Sequence, residues 1–124
     1  MTKLNKNPPP NPDQLSNLIN KIDFAIGNDY WDFIKNHDGA EGFLNDTNFI
    51  QLWGIDNLIA LNPYYPNDPT CEELFFFGTN GSNLGYAFDK KTGGIISLDF
   101  IDIGVENPTA TASSFTELIN NLSI

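Results

Sequence analysis

The sequence predicts a single α+β domain: a central, mainly antiparallel sheet of about five to six strands, with helices before it and one helix after it. Three observations predict it. Apolar residues recur at helical spacing early in the chain, at Leu15, Leu18, Ile19, Ile22 and Ile26. From residue 42 to residue 98 the rhythm changes to short aromatic and branched runs separated by Gly, Asn, Asp and Pro, as strands and turns require. Near the end, Ser114-Phe115-Thr116-Glu117 carries the serine and glutamate of a capping box.

The chain has 124 residues, which fits one domain and not two. Its 10 Phe, 4 Tyr and 2 Trp are enough large side chains to fill a core without a disulfide or metal. Trp31 and Trp53 are expected in that core or half-buried at its margin.

Residues 1–11 have no apolar period and include Pro8, Pro9 and Pro10, so they are expected to form a disordered arm, with the folded domain spanning 12–124. Asn11 is placed to cap the first helix and Pro12 to open it, where a missing N–H costs nothing. Gly27 breaks the period. Asn28-Asp29 then caps a second helix that turns Tyr30, Phe33, Ile34 and His37 toward the core, and Gly39 ends it.

Strands are expected at Gly42 to Leu44, Phe49 to Trp53, Leu74 to Gly78, Leu84 to Asp89 and Gly94 to Leu98, with one helical turn at Ile55 to Leu58. Asn80-Gly81, extended by Ser82 and Asn83, and Lys90-Lys91-Thr92-Gly93 supply turn chemistry for two successive hairpins, hence a three-stranded meander. Phe115, Leu118, Ile119 and Leu122 give the last helix one apolar side.

Charge narrows the partners. Against 16 Asp and Glu there are 6 Lys and no Arg, a net charge of -10. Nucleic acid and anionic membrane surfaces are excluded as ligands, because both need clustered cations and the only adjacent pair is Lys90-Lys91. The residues up to Pro12 are polar and proline-rich, with no apolar signal segment, which predicts a cytoplasmic protein.

The catalytic inventory is thin. The one cysteine, Cys71, has no basic neighbour in sequence to lower its pKa, and His37, the only histidine, sits at a helix end without a nucleophile or metal-ligand spacing beside it. Gly78, Gly81 and Gly85 match neither a phosphate loop nor a dinucleotide fingerprint. Acid pairs such as Glu72-Glu73 or Asp99 with Asp102 arise from composition alone in so acidic a chain. No enzyme activity, cofactor or metal is expected, and the chain reads as a binding module.

The order of segments resembles the SUKH superfamily, the Smi/Knr-type domain of bacterial toxin-immunity proteins and fungal cell-wall regulators. Ile26-Gly27-Asn28-Asp29-Tyr30-Trp31-Asp32-Phe33-Ile34 is similar to the family's leucine-proline-x-aspartate-tyrosine-x-x-phenylalanine-leucine stretch, with Gly27 in place of proline. Asn36-His37-Asp38-Gly39 resembles its asparagine-glycine turn, the run from Phe76 to Asp89 its glycine-rich hairpin, and Thr111 to Ile119 its closing helix. The resemblance spans roughly residues 12 to 122, and the positions that carry it are caps, turn glycines and core aromatics.

What the resemblance implies is toxin neutralisation: stoichiometric, non-catalytic binding of a cognate toxin, of nuclease type or otherwise nucleic-acid-modifying, by a monomer or weak dimer. An acidic inhibitor suits a basic toxin. A regulatory interaction module of the Smi/Knr kind, with no toxin partner, is the alternative. For the contact surface, aromatic anchors amid charge are expected in Pro63-Tyr64-Tyr65-Pro66-Asn67-Asp68-Pro69, with Tyr64 and Tyr65 as anchors and Asp68, Glu72 and Glu73 adding charge. Asp99, Asp102 and Glu106 form a second expected acidic edge.

Overall fold

Alternating and fully apolar short runs dictate a sheet, and in the computed structural model seven strands among the described residues lie side by side in the order of the chain, each antiparallel to the next. The structure describes residues 4–64, 73–99 and 109–124. The strands are β1 (Leu4–Lys6), β2 (Ala40–Phe43), β3 (Phe49–Leu52), β4 (Leu74–Thr79), β5 (Leu84–Asp89), β6 (Ile95–Asp99) and β7 (Thr109–Ala112). Helices α1 (Pro12–Lys21) and α2 (Asn28–Asn36) separate β1 from β2, α3 (Ile55–Leu61) and a 3-10 turn (Asn62–Tyr64) follow β3, and α4 (Phe115–Ser123) closes the chain. The α+β class is as expected; among the described residues seven strands stand where five to six were expected.

The core sits where β4 and β5 meet α2 and α4. Every residue of β4 is buried, as a central strand covered on both faces requires. Its register shifts between Phe76 and Gly78, and the Phe77 ring stacks on Phe88 of β5 at 4.5 Å. Tyr30 of α2 fills the centre, with ring centroids 5.0 Å from Phe88, 5.6 Å from Phe77 and 5.3 Å from Phe115 of α4. Edge-on ring pairs of this kind add roughly 0.5–1.5 kcal/mol each beyond the area they bury.

Several local expectations are corrected. The arm does not lie outside the fold: Leu4, Asn5 and Lys6 pair with Gly42, Glu41 and Ala40, and Leu4 is buried opposite the one residue of β2 with no side chain. β7, four small residues without a strong strand signal, was not expected. α1 ends at Lys21, one turn short of Ile26, and leaves Ile19 46% exposed. The chain there extends so that Phe24 reaches the Phe75 ring at 5.6 Å.

Capping also differs. α2 is capped by Gly27 without a side-chain bond, and Asp29 lies inside its first turn. Ser114 accepts the Glu117 amide, but Glu117 takes its own partner from the Ser113 hydroxyl at 2.6 Å rather than completing the reciprocal box. The complete capping box stands at α1, where Asn11 and Gln14 bond each other's amides. Ile55 begins a seven-residue helix rather than a single turn, because Asp38 accepts its amide at 2.7 Å from across the fold. Trp53 is buried and Trp31 half-buried, as expected.

Candidate functional site

Three segments far apart in sequence converge on one groove. The first is the stretch after β1, where alternating hydrogen bonds and prolines hold an extended strap across the turn that follows α2. Asn7 donates its amide to the Gly39 carbonyl at 3.0 Å and its side-chain Nδ2 to the Asp38 carbonyl at 2.9 Å. The Pro8 carbonyl accepts the Asp38 amide at 2.9 Å, and His37 Nδ1 lies 3.1 Å from the Asn7 carbonyl. Gly39, at φ 88, makes the turn that presents these groups, a conformation a side chain would resist.

The second wall is one side of α2, where Asp29, Asp32, Phe33, Asn36 and His37 recur at helical spacing. The third is the start of α4, with Phe115, Thr116, Ile119 and Asn120. Together they enclose a groove of about 840 Å³ whose floor is apolar and whose rim is polar. A smaller hollow of about 330 Å³ lies between β2, β3 and α3.

Charge in the groove is uneven. Asp29 is committed to the scaffold, since Oδ1 accepts the Tyr30 amide at 2.9 Å and Oδ2 the Thr116 amide at 2.8 Å. A carboxylate so placed faces the positive ends of two helices. Asp32, one turn further, is exposed and its carboxylate has no partner among the described residues. Among the described residues Lys6 is the single lysine of the lining.

Beneath this floor lies Tyr30, fully buried, with a phenol oxygen that has no hydrogen-bond partner among the described residues. Burial, with the Asp38 carboxylate adding to it, pushes this phenol above the ordinary tyrosine range. Burial also raises the Tyr86 phenol. Neither group reaches the groove as an acid or base. Among the described residues no cluster of His, Cys, Asp or Glu could hold a metal ion, and no helix is long and apolar enough to cross a membrane.

Of the residues expected at the contact surface, Tyr64, Glu73 and Asp99 lie within the described residues. Tyr64 ends the 3-10 turn after α3. Glu73 is exposed just before β4, where its carbonyl accepts the Lys90 amide at 2.8 Å. Asp99 ends β6, half-buried, and accepts Asn83 Nδ2 at 2.7 Å. Tyr65, Asp68, Glu72, Asp102 and Glu106 lie outside the described residues. Leu74 pairs with Asp89 and Asp99 with Leu84, so Glu73 and Asp99 flank opposite ends of β5, roughly 17 Å apart at strand spacing. The structure does not bring these two together.

The groove itself was missed by reasoning along the chain. Its one local signal was Leu4 ahead of a proline run: an apolar residue to anchor and a stiff segment to follow.

No curated protein matches the chain. A family model, described as the SMI1 / KNR4 family (SUKH-1), matches residues 9–121, and by that match over nearly its whole length the chain belongs to this family.

Proposed function

We propose that this domain is an immunity protein that binds a cognate bacterial toxin one to one and blocks it without catalysis. The observation that carries the reading is membership of a family that includes toxin-immunity proteins, over residues 9–121. The family is non-catalytic, and one of the two groove carboxylates, Asp29, is held by two backbone amides.

The net charge of -10 supports a basic partner, such as a toxin that acts on nucleic acid. Summed charge of this size accelerates encounter with an oppositely charged protein and matters less for the final fit. Glu73 and Asp99, at separate ends of the sheet, suit this steering role, and the segments with Tyr64, Tyr65, Asp68, Glu72, Asp102 and Glu106 are proposed to flank the contact. The protein acts in the cytoplasm as a monomer or weak dimer.

Co-expression tests the reading. A toxin domain encoded beside this chain, expressed in a susceptible host, is expected to stop growth, and this chain to restore it. The purified pair is expected to form a one-to-one complex by calorimetry that weakens as salt is raised. A host that stays poisoned, with no complex between the pair, would overturn immunity and move the reading to a regulatory interaction module.

A further inference from the structure

Building on the reading of this chain as a protein-binding domain, we infer that the groove between the strap, α2 and α4 docks a partner segment carrying an apolar anchor flanked by Lys or Arg. The floor is made by Phe33, Phe115 and Ile119, so what enters must bring an apolar side chain to displace water there. At about 840 Å³ the groove holds a few side chains of a peptide rather than a single one.

The flanking charge follows from the rim. Asp32 offers an exposed carboxylate without a partner among the described residues, and Asp29 adds a second negative charge one helical turn away. Among the described residues of the lining Lys6 is the one lysine that opposes them, in a chain of net charge -10. An anionic segment would meet repulsion from the rim and from the whole molecule; a cationic one gains at both ranges.

The walls are set before anything binds. The strap is held by backbone bonds to residues 38 and 39 and stiffened by Pro8 and Pro9, so little ordering cost falls on binding. The rival apolar surface is Phe43, 49% exposed and edge-on to Phe49 at 5.2 Å, which lines neither of the two hollows described above.

The test uses a phage-displayed library of random peptides, selected on the full chain and measured by fluorescence anisotropy against three proteins: wild type, Asp32→Lys/Asn120→Arg, and Phe43→Ser. Both groove positions are exposed, so that variant is expected to melt like wild type. Selected peptides are expected to share an apolar residue flanked by Lys or Arg. They should bind the groove variant at least about tenfold more weakly and Phe43→Ser as well as wild type. Amide shifts on wild type are expected at Asn36, Thr116 and Asn120, which keeps the test decisive if the double variant misfolds. No selected binder, a neutral or acidic consensus, or loss of binding with Phe43→Ser alone would overturn the inference. Protection from the toxin by wild type and groove variant alike would overturn the groove and leave immunity standing. Peptide binding in the groove with no protection would do the reverse.

Discussion

Asp29 Oδ2 accepts the amide of Thr116 at 2.8 Å, so a carboxylate in the first turn of α2 satisfies an orphan N–H in the first turn of α4. Its other oxygen accepts the Tyr30 amide at 2.9 Å. The two helices that cover the central aromatic cluster are thus tied at their N-terminal ends by one side chain, and the groove inherits its width from that tie.

Removing the tie should loosen both helices. Asp29→Ala is expected to cost about 1–3 kcal/mol, the range for a charged cap with two amide partners. Asp29→Asn keeps one acceptor oxygen and should fall between Ala and wild type. Urea denaturation checks the order; an Ala variant as stable as wild type would show that Thr116 finds an equivalent partner in solution.

Tyr30 makes a less intuitive prediction. Its ring is central, but its hydroxyl is buried without a partner among the described residues, so Tyr30→Phe should lose nothing and gain up to about 1 kcal/mol at neutral pH. Tyr30→Ala should cost about 3–5 kcal/mol, as for other large buried aromatics. The phenol is raised above its ordinary value of 10.0, so the unfolded chain releases this proton at lower pH than the folded one. The stabilisation is whole below pH of about 10 and declines as pH rises beyond it. Tyr86 adds to the decline in the same sense. Thermal melts across alkaline pH should show a shallower fall for Tyr30→Phe than for wild type.

What the chain reveals locally and what it conceals divide along sequence distance. The β4–β5–β6 meander was legible because Asn80-Gly81 and Thr92-Gly93 lie between its strands, and Gly81 and Gly93 do take positive φ. The helices were legible by period, yet period overran α1: Ile22 and Ile26 keep the spacing although the chain there is no longer helical. β1 was illegible because three residues become a strand only opposite Gly42, and nothing near Leu4 announces that partner. The groove was concealed for the same reason, since its walls meet only after α2 and α4 pack. Linear order alone does not say how far the charge at Glu73 lies from the second acidic edge at Asp99; the antiparallel register puts these two at opposite ends of β5.

Asn62 stands in for a missing strand. β3 pairs with β4 only at Thr79 and Gly78, and Trp53 takes the Phe77 carbonyl before the chain turns into α3. At the next position Asn62 Oδ1 accepts the Phe76 amide at 2.7 Å while its Nδ2 donates to the Phe76 carbonyl at 2.9 Å and to the Leu58 carbonyl at 2.8 Å. Asn62→Ala is expected to cost about 2–4 kcal/mol, because it withdraws bonds from a buried central strand. Asn62→Asp keeps the acceptor and loses both donors, so it should be nearly as damaging. Equilibrium unfolding of the two variants checks both values.

The strap supplies the last prediction and separates the structure from the linear reading most sharply. A disordered arm could be deleted without consequence. Deleting residues 1–8 instead removes the β1–β2 pairing, the burial of Leu4 and the bonds to residues 38 and 39. The loss should be about 3 kcal/mol or more, from one buried leucine and several partly exposed hydrogen bonds. Leu4→Asn isolates the first contribution and should account for roughly half of it. Hydrogen exchange at the Asp38 amide, whose acceptor is the Pro8 carbonyl, gives a local readout: the amide should exchange faster in the deletion while the amides of β5 follow the global stability. Equal exchange and equal melting in the truncated and full chains would place the strap outside the fold and dissolve the groove with it.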